Sequence, residues 1–199
     1  MKVEYKIILL FFLLLNTTFA KAQDTAAINK KLHYRITIGT GLGSGPSNED
    51  YYGVGIMSEF SIQRKNSIYA LKILRVEQLE TSRVAQPLNS NNCLDITYGK
   101  IFNKGPFLCS TSAGISFIEG IRIIQHLTTA GWDVIYNYEK TQLYTVGIPI
   151  SAKIFWMPKK DNKRFGRGLG IELFANLNNK NTFYGMNICF QFILRNKIQ

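Results

Sequence analysis

The sequence predicts an all-β chain, an eight-stranded antiparallel up-and-down barrel, and three observations carry that prediction. Apolar residues recur at every second position in nearly every apolar stretch beyond residue 31, the spacing that sends successive side chains to opposite faces of a strand. No segment sustains a helical period. The connections alternate between short turns, near 64–67, 103–106 and 158–163, and mostly longer loops, near 44–50, 78–92, 119–141 and the briefer 178–181. Short turns at one end and longer loops at the other describe a meander. The 199 residues fit one domain, and 46% hydrophobic against 19% charged residues excludes a disordered chain.

Residues 1–22 read as a secretory signal: Lys2 and Lys6 precede an apolar run from Ile7 to Leu15, and Ala20-Lys21-Ala22 supplies a small-x-small cleavage site. The run is far shorter than the roughly 20 residues that a membrane-spanning helix needs. The strands follow in order. The first alternates Tyr34, Ile36, Ile38 and Leu42 with Arg35, Thr37, Gly39, Gly41 and Gly43, and the second sets Val54, Ile56, Phe60 and Ile62 against Gly53, Gly55 and Glu59. Tyr69, Leu71 and Ile73 against Ala70, Lys72 and Leu74 make the third, and Leu94, Ile96 and Tyr98 against Asp95, Thr97 and Gly99 the fourth. The fifth places Phe107, Cys109, Ala113, Ile115 and Phe117 opposite Ser110, Ser112, Gly114 and Ser116. In the sixth, Tyr144, Val146, Ile148, Ile150, Ile154 and Trp156 alternate with Thr145, Gly147, Ser151 and Lys153. Leu169, Ile171 and Leu173 against Gly170 and Glu172 form the seventh, and Tyr184, Met186, Ile188, Phe190, Phe192 and Leu194 against Gly185, Asn187, Cys189 and Gln191 the eighth.

Period two alone does not say which face looks inward. A soluble lipocalin-like ligand carrier would be apolar inside, a membrane barrel apolar outside. The polar face here is mostly Gly, Ser and Thr with isolated charges, which suits the crowded interior of a closed eight-stranded barrel better than a water-exposed surface. On the apolar face Tyr34, Phe102, Phe107, Trp156 and Phe192 gather towards the short-turn end, and Tyr52, Tyr144 and Tyr184 towards the other. Two aromatic bands around an aliphatic belt match the girdles that amphipathic rings form at the headgroup level.

In this architecture, and in its amphipathic final strand from Tyr184 to Leu194, the chain resembles the small eight-stranded outer-membrane β-barrel proteins of Gram-negative bacteria, of the OmpX and OmpA-barrel kind. The resemblance covers residues 32–197 and implies an outer-membrane location in contact with outer-membrane lipid, with residues 23–31 as a short periplasmic lead-in. It also implies periplasmic short turns and extracellular long loops. Many such barrels end on an aromatic residue, whereas residues 193–199 follow Phe192 here.

Six charges fall at polar-face positions of six different strands: Arg35, Lys72 and Lys153 against Glu59, Asp95 and Glu172. Unpaired charge in a narrow lumen is costly, so mutual pairing and a plugged interior are expected. The segment 119–141 keeps its parity throughout: Ile121 and Ile123 continue the odd series, and Trp132, Val134, Tyr136 and Tyr138 run on into Tyr144. The expectation is a hairpin projecting beyond the rim, turning near Thr128-Thr129-Ala130-Gly131 and pairing Ile123 with Tyr136, whose apolar face binds an extracellular protein or surface.

Other chemistry is weakly supported. The run Gly39-Thr40-Gly41-Leu42-Gly43-Ser44-Gly45 matches neither the dinucleotide nor the phosphate-loop template, and no helical pattern follows it. Cys93, Cys109 and Cys189 are widely spaced, with no CxxC pair and no neighbouring histidine, so neither a disulfide framework nor a metal site is indicated and no cofactor is expected. Some barrels of the resembled family act on lipid, and His126 with Ser90 or Asp133 is the one set that could serve a lipid-active enzyme, although no catalytic spacing is evident. The net charge of +11 is scattered, its one cluster at Lys159-Lys160-Asp161-Asn162-Lys163-Arg164 falling on a short turn. Charged turns at a phosphate-rich membrane surface account for it better than nucleic acid.

Overall fold

A computed structural model describes residues 32–45, 51–79, 89–130, 133–158, 165–180 and 182–195, with side chains described except at 45, 51–52, 124–130 and 133–136. The signal segment, the lead-in, Trp132, the cluster 159–164 and residues 196–199 lie outside the described residues. Eight strands run in chain order: β1 Leu32–Gly45, β2 Tyr51–Arg64, β3 Ser67–Gln78, β4 Ser90–Lys104, β5 Phe107–Ala130, β6 Asp133–Trp156, β7 Phe165–Leu177 and β8 Phe183–Arg195. Each pairs antiparallel with its neighbours in sequence, and β8 returns to β1 with Ile36 opposite Phe192 and Gly41 opposite Asn187, closing the barrel. Closure removes the open edges that a sheet of this size would otherwise present.

Two of the short turns hold two residues each. Arg64 pairs with Ser67 across Lys65-Asn66, and Lys104 pairs with Phe107 across Gly105-Pro106. Both turns need a left-handed residue, supplied by Lys65 at φ 56° and Gly105 at φ 61°.

The polarity is inside out. The outward positions carry Ile, Leu, Val, Phe and Tyr that are half exposed, such as Ile56, Ile73, Ile115, Val146, Leu169 and Ile188, while Arg35, Glu59, Lys72, Asp95, Lys153 and Glu172 are buried. On β8 the outward apolar series from Tyr184 to Phe192 runs about 27 Å along the strand, or about 21 Å of height at the usual barrel tilt, close to the hydrocarbon band of such barrels.

The interior departs from the expectation of small polar residues. Ile68, Ile101, Leu108, Phe155 and Ile193 fill the short-turn end of the lumen, and Leu74, Val76, Cys93, Ile118, Phe174 and Phe183 fill its other half. The ionic layer lies between them. Large apolar side chains are accommodated because other strands bring glycine to the same interior. A Cβ on Gly41 would stand 1.8 Å from the Met186 carbonyl oxygen and 2.7 Å from Asn187 Oδ1, so β1 and β8 approach as closely as they do only with no side chain there.

Candidate functional site

Strand register sets the lumen charges. Glu59 stands opposite Lys72, Lys72 opposite Asp95, and Lys153 opposite Glu172. Lys72 Nζ lies 3.3 Å from Asp95 Oδ2 and 3.3 Å from Glu172 Oε1. Lys153 Nζ pairs with Glu59 and lies 3.6 Å from Glu172 Oε1. Glu172 is thus shared by both lysines, and its other oxygen accepts a 3.0 Å hydrogen bond from Asn187 Nδ2. Lys72 also stands 5.7 Å over the Phe174 ring, so a cation–π contact closes the layer towards the apolar half above it.

Arg35 is not among the ion pairs. Its guanidinium donates to Gln63 Oε1 and, at 3.2 Å, to Gln191 Oε1, and Gln191 in turn donates to Thr37 Oγ1 at 3.2 Å. The reason is level: Thr37, two residues along β1, pairs with Glu59, while Arg35 pairs with Ser61. Arg35 therefore sits one inward step nearer the short-turn end, where amide oxygens hold it. The other five charges hold two cations and three carboxylates, so Arg35 balances the lumen as a whole without a direct contact.

β5 and β6 are each 24 residues long, against 12 to 15 for the other six strands. The β4 partnership ends at Ser90 opposite Ile121, and the β7 partnership at Leu177 opposite Ile148. Among the described residues, 122–130 and 133–141 pair as strands only with each other, and 142–147 only with β5, which carries the hairpin about 30 Å past the last rung of β4. Its base is braced at three points. Ile123 N–H donates to Asn89 Oδ1 at 2.8 Å, Lys180 Nζ to the Tyr144 carbonyl at 3.3 Å, and Tyr144 O–H to Glu119 at 3.2 Å.

The register corrects one expectation. Ile123 stands opposite Lys140, and Tyr136 opposite Leu127, so the Ile123–Tyr136 pairing does not occur. Odd still faces even, but pairing runs through Thr128 and Thr129 to Ala130 opposite Asp133. The β-branched threonines favour continued strand over turn. Apolar and polar positions consequently mix across several rungs: Ile121 faces Gln142, and Tyr138 faces Gln125. The side chains of Ile121 and Ile123 are half-buried and that of Tyr138 exposed, while those of Val134 and Tyr136 lie outside the described residues.

The candidate enzyme set is not assembled. Ser90 pairs with Ile121, five positions from His126, and Asp133 pairs with Ala130, four positions away. At about 3.4 Å per residue these separations are about 17 and 14 Å along the strands, beyond side-chain reach. Among the described residues no three His, Cys, Asp or Glu side chains are grouped to hold a metal, and the three cysteines are free thiols.

One cluster escaped sequence reasoning because its members belong to three strands. On the outer surface at the short-turn end, Arg64, Ser67 and Lys100 occupy one rung of β2, β3 and β4, and Tyr69 and Tyr98 the next inward-shifted rung. Lys100 Nζ donates to Ser67 Oγ at 3.2 Å, and Ser67 Oγ lies 3.2 Å from the Tyr98 hydroxyl. The Tyr69 and Tyr98 ring centroids are 5.2 Å apart. Only the register reveals it.

No family model and no curated protein matches the chain. Solved structures do match. The Neisserial surface protein A (NspA) aligns with a TM-score of 0.55 at 7% identity, over 81% of this chain and 96% of that one. Ail, the attachment invasion locus protein of Yersinia pestis, aligns with a TM-score of 0.54 at 7% identity, over 81% of this chain and 98% of that one. Ail in complex with the heparin analogue sucrose octasulfate gives 0.50 at 6% identity, over 82% and 99%. With eight antiparallel strands closed in chain order, an apolar exterior and a charged interior, the chain has the fold of the small outer-membrane β-barrels.

Proposed function

We propose that the chain is an integral outer-membrane protein whose barrel is a plugged, non-conducting anchor, and that it acts without catalysis by binding an extracellular protein along the β5–β6 hairpin. Residues 1–22 direct export, residues 23–31 lie in the periplasm, and the barrel of residues 32–197 sits in outer-membrane lipid. The apolar belt supports the membrane reading over a lipocalin-like carrier, since that belt would face water in a soluble protein. Buried Phe155 and Phe183 on either side of the ionic layer support a closed lumen.

The observation that carries the binding role is that, among the described residues, β6 over 133–147 has β5 as its one strand partner, the β7 ladder beginning at Ile148, so the strand is already held in extended form with no second strand beside it. Such an edge accepts an added strand, with main-chain groups giving affinity. The hairpin's charges over 122–141, Arg122 and Lys140 with Asp133 and Glu139, are balanced, which favours strand addition over the sulfated ligand class bound by Ail.

The test replaces residues 122–141 by Asn-Gly, so that Ile121 and Gln142 close a short hairpin. The shortened barrel is expected to insert and unfold like the parent, while cells carrying it lose adherence to host-cell protein surfaces. Undiminished adherence would defeat the binding reading. Recovery of the parent from the soluble periplasm without detergent would defeat the membrane reading.

A further inference from the structure

The short-turn end carries a charge imbalance that neither the barrel nor the hairpin explains. Arg64, Lys65, Lys100, Lys104, Arg167 and Arg195 lie there, and among the described residues of that end, outside the lumen's ionic layer, there is no carboxylate. None of the six makes an ion pair with a described residue. Repulsion within such a set destabilises the fold unless anions sit beside it.

The outward cluster on β2–β3–β4 shows where one would sit. Arg64 and Lys100 flank the Ser67 hydroxyl on a single rung. Lys100 Nζ is held at 5.7 Å over the Tyr98 ring while donating to Ser67. The Tyr69 and Tyr98 rings below are exposed outward, at 54% and 47%, and lead into the aliphatic belt at Leu71 and Ile96. A lysine bonded to two linked hydroxyls, with a second cation on the same rung, above tyrosines and then hydrocarbon-facing residues, reproduces in order the layers of a lipid: phosphate, glycerol level, acyl chain.

We propose that this cluster is a binding site for the phosphate of an anionic phospholipid in the leaflet at the short-turn end, with Arg64 and Lys100 taking the phosphate oxygens, one hydroxyl of the Ser67–Tyr98 pair donating to them while the other donates to its neighbour, and the Tyr69–Tyr98 pair seating the first acyl carbons. The occupant is a lipid because the site opens sideways onto the belt and not into the lumen. Guanidinium and ammonium bind phosphate in complementary ways, the first as a planar fork and the second as a point charge.

This inference rests on the membrane reading, and insertion is scored separately by protection of the barrel from protease in phosphatidylcholine vesicles. The full chain is then extracted from mixed vesicles of phosphatidylglycerol and phosphatidylcholine with matched acyl chains, and retained lipid is counted by native mass spectrometry. The parent is expected to keep phosphatidylglycerol selectively. Combined Arg64→Gln and Lys100→Gln should reduce that retention about thirtyfold, the factor that two cations at about 1 kcal/mol each correspond to. Lys104→Gln, on the turn outside the cluster, should leave it unchanged. Equal retention of the two lipids by a protected, inserted parent would overturn the site, as would an effect of Lys104→Gln as large as that of the double variant. Displacement of the lipid by millimolar inorganic phosphate would also overturn it, reducing the cluster to a simple anion site. Loss of protease protection in the parent would overturn the membrane reading itself.

Discussion

Below its rim and above it, the same strands β5 and β6 follow the same alternating code under different constraints. Within the barrel each strand has a partner on both edges, one face packed into the lumen and the other on the belt, so a residue's parity determines its surroundings. Ser116 is fully buried and Phe117, beside it, is half exposed. Above Ile121, among the described residues, each of the two strands has only the other as a strand partner, and parity no longer separates inside from outside: Ile123 faces Lys140 on the same rung. Alternation thus reports an extended backbone and a register, whereas closure gives the alternation its meaning.

The largest expected effect sets the two regions against each other directly. Glu172→Leu removes the carboxylate shared by Lys72 and Lys153, leaving each lysine with a single carboxylate, Asp95 or Glu59, and the buried lumen with an uncompensated positive charge. Breaking a buried network in this way costs about 3 to 5 kcal/mol. Lys140→Leu, on the hairpin, removes a charge that water already solvates and should leave stability within about 0.5 kcal/mol of the parent. Urea unfolding of both variants in lipid vesicles makes the comparison, and equal stability would mean that the ionic layer is no more than a solvated set of charges.

A smaller effect is expected where the barrel closes. Gly41→Val puts a branched side chain where a Cβ alone would be 1.8 Å from the Met186 carbonyl oxygen. β1 and β8 must separate locally, at a cost of about 1 to 3 kcal/mol if the rest of the seam holds. Because Asn187, opposite Gly41, also donates to Glu172, the loss should couple to the ionic layer. In a double-mutant cycle with Asn187→Ala the two losses should fall short of their sum. Full additivity would show that the seam and the ionic layer are independent.

Much of this was legible because strand parity is local. The eight strands, their meander order and the six buried charges all follow from residues i and i+2, and the six charges fall on the inward face. Parity does not encode level along the barrel axis, which depends on strand stagger accumulated around the closed sheet. For that reason Arg35 could be placed in the lumen but not at its height, where Gln63 and Gln191 receive it. The apolar ends of the lumen were missed for a related reason: Leu74, Leu108 and Phe155 share a side with the small polar residues and look like irregularities until closure stacks them. Arg64, Ser67 and Lys100 are contiguous only in register, across two turns of chain.

The smallest effect tests whether the closed end is as optimised as its pairing suggests. Lys65 and Gly105 hold equivalent first positions of two-residue turns, at φ 56° and 61°. For a residue with a Cβ the left-handed region costs roughly 1 to 2 kcal/mol, and glycine enters it freely. Lys65→Gly should therefore raise stability by about 1 kcal/mol less the extra entropy that glycine loses on folding, a net gain of about 0.5 kcal/mol. Gly105→Ala should lower it by a similar amount, since nothing lies within 4 Å of a Cβ there and only the backbone conformation opposes it. Unfolding midpoints moving in opposite directions would show that the strain resides in the turn backbone. If Lys65→Gly instead destabilises, the lysine side chain contributes more at this end than its backbone conformation costs, and the basic rim would then have a role in holding the barrel as well as in meeting lipid.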